Sequence, residues 1–216
     1  GNTEETLTAL DAAIQKGAHI RALTSGGQLA TQAAEHGWPV LTVPGGHPPR
    51  SQFGWAVTGL LHHFAALGHT PVDAPQVLED VQASAEALRR HRESIVELAG
   101  QWADTLNTKN PMLYGDAALE PVLIRWRQQL NENAKRLCNH HVFPEMNHNE
   151  LVGWAGGKEE YAVIIFRSSY EHPRSSVRID ICKDIFKKHT STVLEFTAKG
   201  DSFLAQTFYH VLLGDW

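Results

Sequence analysis

Short apolar stretches alternate with amphipathic segments along this chain, and glycine or proline marks each junction. Leu7, Leu10, Ala13 and Ile14 recur at helical spacing, which predicts a helix over 4–16. Asn2 or Thr3 can cap its start, with Glu5 three residues after Asn2. Gly17 ends that helix. Residues 19–24 then predict a strand that runs into Ser25-Gly26-Gly27, a turn opening a second helix over 28–36, which Gly37 closes. A strand over 39–43 leads into Pro44-Gly45-Gly46-His47-Pro48-Pro49-Arg50, after which 51–68 reads as helical. Strands separated by helices in this way predict a parallel sheet with right-handed crossovers.

Beyond residue 75 the pattern changes. Leu78, Val81, Ala85, Leu88, Ile95 and Trp102 lie near a heptad spacing and predict a long, charge-rich helix or helix pair over 75–105, solvated on one side. Asn107-Thr108-Lys109-Asn110-Pro111 interrupts it, and a second alternating set follows. Its strands are predicted at 111–115, 141–146, 161–166 and 192–196, with helices at 118–138, 173–188 and from 202 onward. Two successive α/β units are therefore expected, with the boundary near 107–111.

Composition narrows the function. With 216 residues, 42% of them hydrophobic, the chain can bury a sizeable core. Its 19 Lys and Arg against 24 Asp and Glu give a formal charge of -5, the opposite of a nucleic-acid footprint, so no nucleic-acid partner is expected. Cys138 and Cys182 alone cannot build a disulfide framework or a thiolate-rich zinc site, and they suit a reducing compartment. No apolar run approaches the roughly 20 residues of a bilayer span, so a soluble chain with no membrane partner is expected. No GxGxxG, Walker A, GxSxG or HExxH motif occurs, and the 13 His, including the pairs at 62–63 and 140–141, show no metal-ligand spacing.

Ligands of parallel α/β sheets bind beyond the carboxyl ends of the strands, and four segments fall there or at helix ends. At Gly1–Thr6 a helix N-terminus offers unpaired N–H groups to an anion, to which Thr3 can add its hydroxyl; a simple cap accounts for the same residues. Arg50 closes the irregular Pro-Gly-Gly-His-Pro-Pro-Arg loop, where it either presents a guanidinium to an oxyanion or faces solvent on a rigid turn. Glu132 lies in Asn131-Glu132-Asn133-Ala134-Lys135. The helix wheel sets it opposite the face of Leu119, Leu123, Trp126, Leu130 and Leu137, which makes it a solvated partner of Arg136 or a group lining a cleft or subunit junction. His148 sits in Pro144-Glu145-Met146-Asn147-His148-Asn149-Glu150, directly after a predicted strand. There it is a general acid or base, or a bystander at an Asn-capped helix start.

Taken together and in order, Gly1-Asn2-Thr3-Glu4-Glu5-Thr6, Pro48-Pro49-Arg50, the stretch from Glu120-Pro121 through Arg125-Trp126 to Asn131-Glu132-Asn133-Ala134-Lys135, and Pro144–Glu150 with Gly153-Trp154 resemble the bifunctional phosphoglucose/phosphomannose isomerases, a branch of the sugar isomerase (SIS) domain superfamily. The resemblance extends over nearly the whole chain. It implies an α/β fold of two doubly wound SIS-type domains with parallel sheets flanked by helices: 1–106, a partial first domain with a long connecting helical segment, and 107–216, the second. It also implies aldose–ketose isomerisation of glucose 6-phosphate and mannose 6-phosphate with fructose 6-phosphate, without metal or other cofactor, in the cytoplasm and in the service of glycolysis and gluconeogenesis.

By the same likeness Thr3 belongs to the phosphate cradle, Arg50 stabilises the enediolate, Glu132 moves the proton between C1 and C2, and His148 assists ring opening. A homodimer is implied, with the active site at the subunit interface and the His drawn from the partner. Family members carry further phosphate-loop Ser residues before the Gly-Asn-Thr segment and a Thr and a Lys in a C-terminal tail, so the resemblance implies a fragment lacking both termini. A non-catalytic phosphosugar-binding SIS module is the alternative, and such a module has no need of the Glu132, Arg50 and His148 set.

Overall fold

The alternation folds into two parallel sheets flanked by helices. A computed structural model describes residues 1–216, which pack as two units, Gly1–Glu79 and Asp80–Trp216. The first unit contains α1 (Glu4–Gln15), β1 (Ala22–Thr24), α2 (Gly27–His36), β2 (Val40–Thr42), a 3-10 turn at Pro49–Gln52 and α3 (Phe53–Ala66). β1 and β2 pair in parallel with Leu23 opposite Leu41, over three residues each, so the strands are shorter than the apolar stretches that contain them. Gly37, at φ 67°, ends α2 in the left-handed conformation that glycine adopts without strain.

Of the expected long helix or helix pair, the structure has the single helix, α4 (Ala74–Leu106, 33 residues). Ile95 and Trp102 of the predicted stripe are buried, but Leu78 is exposed, and the small residues Ser84, Ala87 and Ala99 complete the buried side. The packing division at Glu79–Asp80 falls inside this helix near its start, and the composition break at 107–111 follows its end.

The second unit continues with β3 (Asn110–Asp116), α5 (Glu120–Glu132), β4 (Asn139–Phe143), α6 (Glu150–Gly153), β5 (Tyr161–Arg167), α7 (Pro173–Phe186), β6 (Val193–Thr197) and α8 (Phe203–Asp215). Its four strands are parallel, in the order β4-β3-β5-β6. β5 is central, and Ala162–Phe166 are all buried, as a strand covered on both faces requires. One face carries Tyr114, Val163 and Ile165 against Ile179, Cys182 and Phe186 of α7 and against Trp154. On the other, Trp126 of α5 meets Phe166 edge-on at 4.9 Å, and Trp102 of α4 packs on Trp126 and Phe196. α8 closes on α5 at Gly214, where an added Cβ would lie 2.4 Å from Trp126 Nε1.

Two boundaries differ from expectation, and both matter for the site. The helix predicted to reach Cys138 ends at Glu132: Lys135 takes a positive φ of 56°, and the Asn131 side-chain oxygen accepts the backbone N–H of Cys138 at 3.1 Å, turning the chain back toward the sheet. Leu137, placed by the wheel on the buried face, is therefore exposed. The strand predicted at 141–146 is Asn139–Phe143, because Pro144 has no N–H for the ladder and a 3-10 turn, Glu145–Asn147, follows at once. No helix is long and apolar enough to cross a membrane.

Candidate active site

In the first unit, α1 and α2 start side by side. α2 opens on Gly26-Gly27, which carry no capping side chain, and Asn2 substitutes for one: its Oδ1 accepts the N–H of Gln28 at 2.8 Å, while the Gly1 carbonyl accepts the N–H of Leu29. Gly27 sits at φ 76°, and a Cβ there would meet Asn2 Oδ1 at 2.4 Å, so glycine satisfies both the turn and the close approach. Asn2 thus caps α2, and the expected capping box on α1 does not form. Thr3 is the N-cap residue of α1 by position but makes no side-chain cap; its Oγ1 lies 2.7 Å from Thr6 Oγ1.

Arg50 follows the carboxyl end of β2. Gly46 takes φ 82°, Ser51 donates its hydroxyl to the Pro48 carbonyl, and the Gln52 side chain donates to the Pro44 carbonyl, so a bonded loop presents an exposed Arg50 in the turn Pro49–Gln52. Thr3 and Arg50 accordingly belong to the helix starts and strand ends of one parallel α/β unit, the edge where such sheets take ligands.

In the second unit Glu132 and His148 are not brought together. α5 runs antiparallel to β3 and β4, so Glu132 in its last turn lies at the amino edge of the sheet, whereas His148 follows the carboxyl end of β4. The four residue steps of β4 alone separate the two edges by about 13 Å. Glu132 is exposed, and its segment is pinned by neighbours: Asn131 by Cys138, Asn133 by a bond to Gln129 at 2.9 Å, and Lys135 by donation to the Glu132 carbonyl at 2.6 Å. Arg136 lies beyond the end of α5 and donates to Asn107.

His148 is also exposed, between anchored neighbours. Met146 is fully buried, and Asn147 donates its side-chain N–H to Cys182 Sγ at 3.0 Å. Burial pushes the Cys182 thiol up, so it remains a neutral acceptor. Glu150 reaches into the sheet: Tyr114 donates its O–H to one carboxylate oxygen and His141 Nδ1 lies 2.6 Å from the other. By sequence His141 is one of the histidines without metal-ligand spacing. Nothing in the nine-residue spacing signals the pair, which exists because β4 and the start of α6 pack together. No group of three or more His, Cys, Asp or Glu side chains that could hold a metal occurs among the described residues.

Residues 95–216 match the model of the bacterial phospho-glucose isomerase C-terminal SIS domain. The chain is 37% identical over 224 residues to the bifunctional phosphoglucose/phosphomannose isomerase of Caldicellulosiruptor bescii, with all of this chain and 66% of that protein covered. It is 32% identical over 218 residues to the protein of the same name from Aquifex aeolicus, covering all of this chain and 65% of that one. Its length is thus just under two thirds of these relatives. The crystal structure of tagatose-6-phosphate ketose/aldose isomerase from Escherichia coli superposes with a TM-score of 0.70 at 14% identity, over 99% of this chain and 63% of that one, a likeness of fold. The match of residues 95–216, more than half of the chain and the whole of the four-stranded unit from β3 onward, makes this chain a member of the bacterial phospho-glucose isomerase C-terminal SIS domain family.

Proposed function

We propose that this protein is an aldose–ketose isomerase interconverting glucose 6-phosphate and mannose 6-phosphate with fructose 6-phosphate through an enediolate, without a metal, in the cytoplasm. The observation that carries this is similarity along the full chain to bifunctional phosphoglucose/phosphomannose isomerases, in a chain whose Asn131-Glu132-Asn133 and Asn147-His148-Asn149-Glu150 segments lie on pinned turns. The chain is read as two SIS-type domains, 1–106 and 107–216, with α4 as their connection.

The chemistry follows from the residue types. His148 assists ring opening by moving protons between the anomeric hydroxyl and the ring oxygen. The open aldose then carries a weakly acidic C2–H, which the Glu132 carboxylate removes; the same proton returns at C1 to give the ketose. Negative charge on the enediolate calls for a fixed cation, the role assigned to the Arg50 guanidinium. Thr3, between the starts of α1 and α2, supplies a hydroxyl to the phosphate where two helix N-termini favour an anion. The separation of Glu132 and His148 across the depth of one sheet supports a homodimer in which the two residues of each site come from different copies.

The test is Glu132→Gln in the full-length protein. Isomerisation in a coupled assay is expected to vanish, while thermal stabilisation by fructose 6-phosphate, absent with fructose, is retained. Activity within about tenfold of wild type, about 1.4 kcal/mol of barrier, refutes the role of Glu132. Wild-type binding of the phosphosugar without turnover would instead mark a binding module.

A further inference from the structure

The His148 turn is tied to the sheet by side-chain contacts on both of its flanks. Glu150, two residues after His148, begins a helix of only four residues, yet its carboxylate spans two strands. Tyr114 of β3 donates its O–H to Oε1, and His141 of β4 meets Oε2 through Nδ1 at 2.6 Å. Tyr114 and His141 are opposite one another in the ladder, so the carboxylate closes on a pair that the sheet already holds in register. Trp154 donates its indole N–H to the Tyr114 oxygen at 3.0 Å, and both aromatic residues are buried.

Tyr114 also stacks on Phe186 at 5.1 Å, which fixes its ring. Burial first, and then the hydrogen bond and charge of Glu150, hold the Tyr114 phenol well above its ordinary range, so it stays protonated and donating. A chain of polar groups set into an apolar core contributes positional definition, since each member has one satisfied geometry. On the other side of His148, Met146 and Asn147 complete the anchoring.

We propose that Glu150 is a positioning residue for His148: latched by Tyr114, His141 and Trp154, it fixes the turn that presents the imidazole to the sugar ring and does not itself touch substrate. This rests on the isomerase function proposed above. Misplacing a reacting group by about 1 Å can cost on the order of a hundredfold in rate, so the latch acts on turnover rather than on binding.

The experiment compares Tyr114→Phe, Glu150→Gln and Glu150→Ala with wild type in the full-length protein, by steady-state kinetics and by backbone amide exchange across 145–150. In Tyr114→Phe, kcat is expected to fall about tenfold with KM within about threefold, and in Glu150→Ala about a hundredfold. Glu150→Gln recovers most of that loss, because the amide oxygen still accepts from Tyr114 and the amide N–H can donate to His141 Nδ1. Exchange across 145–150 quickens in Tyr114→Phe and Glu150→Ala, while β5 amides stay protected.

Turnover within twofold of wild type in both Tyr114→Phe and Glu150→Ala overturns the proposal, as does unchanged exchange in the turn or an equal loss in Glu150→Gln and Glu150→Ala. A wild-type enzyme that turns over no phosphosugar refutes the isomerase function instead, a result that the kinetics show without any variant. The amide exchange then still decides whether the latch holds the turn.

Discussion

His210 offers a quantitative test of how the second unit is built. It lies on α8 with no exposed surface, its ring 5.2 Å from Phe166 and 5.0 Å from Phe196. Nε2 is 3.0 Å from the carbonyl of Arg167, which can only accept, so Nε2 carries the proton and Nδ1 is left bare without a hydrogen-bond partner. Burial pushes its pKa down to about 4, against an ordinary 6.5. Between these values the unfolded chain binds a proton that the folded chain refuses, so stability is fully present above about pH 6.5 and declines as the pH falls toward 4.

From pH 8 to pH 5 the loss attributable to this one group is about 2 kcal/mol. His210→Gln keeps an N–H for the Arg167 carbonyl and removes the titration, so its stability curve should be flatter than that of wild type by about that amount. Urea unfolding at both pH values, followed by tryptophan fluorescence, measures the difference. Trp126, whose indole N–H is bonded to the His210 carbonyl at 2.7 Å, is a reporter at the site itself. Identical pH dependence in the two proteins, within about 0.5 kcal/mol, would show that His210 binds its proton as readily in the folded chain as in the unfolded one, and would refute the lowered pKa.

Two further outcomes follow from the same unit. Arg167, with only 13% of its side chain exposed, holds Glu171, Asp180 and Glu195 at 2.7–2.8 Å; in Arg167→Met, Lys183 still pairs with Glu195 and Asp180 is open to solvent, but the Glu171 carboxylate is left buried without its cation, and a loss of about 3 kcal/mol in urea unfolding is expected, partly restored by adding Glu171→Gln. Gly214→Ala drives a methyl group into the Trp126 ring, and a loss of about 1–3 kcal/mol is expected, whereas no change in melting temperature would mean that α8 can withdraw from α5 at no cost.

The parallel α/β layout was legible because its signals are local. Gly17 and Gly37 stop helices, apolar runs such as 161–166 make buried strands, and the stripe through Ile95 and Trp102 marks a long helix. What escaped was set by contacts distant in sequence. The end of α5 is decided by the Asn131 side chain reaching Cys138 and by the left-handed Lys135, neither of which disturbs the helical spacing of apolar residues up to Leu137. Asn2 looks like a cap for the helix it precedes, but it caps one that starts 25 residues later, since two glycines leave α2 without a cap of its own. The order β4-β3-β5-β6 has no local signature, and with it went the Tyr114–Glu150–His141 contact. Thr3 was legible from a helix start, Arg50 from a Pro/Gly-rich loop after a strand, Glu132 from the polar side of a helix wheel and His148 from a polar segment after a strand; which of these side chains share a neighbourhood is a property of the sheet edges.

Glu132 and His148, at opposite margins of one sheet, give the proposed dimer an unusual division of labour. If each site takes one residue from each copy, a chain lacking Glu132 still lends a sound His148 to its neighbour, and a chain lacking His148 still lends a sound Glu132. Two inactive proteins mixed and allowed to exchange subunits would then form hybrids in which one site has lost both residues and the other has lost neither. Random exchange makes about half of the dimers hybrid, which restores about a quarter of the sites. Activity would belong to the pairing of chains rather than to either chain.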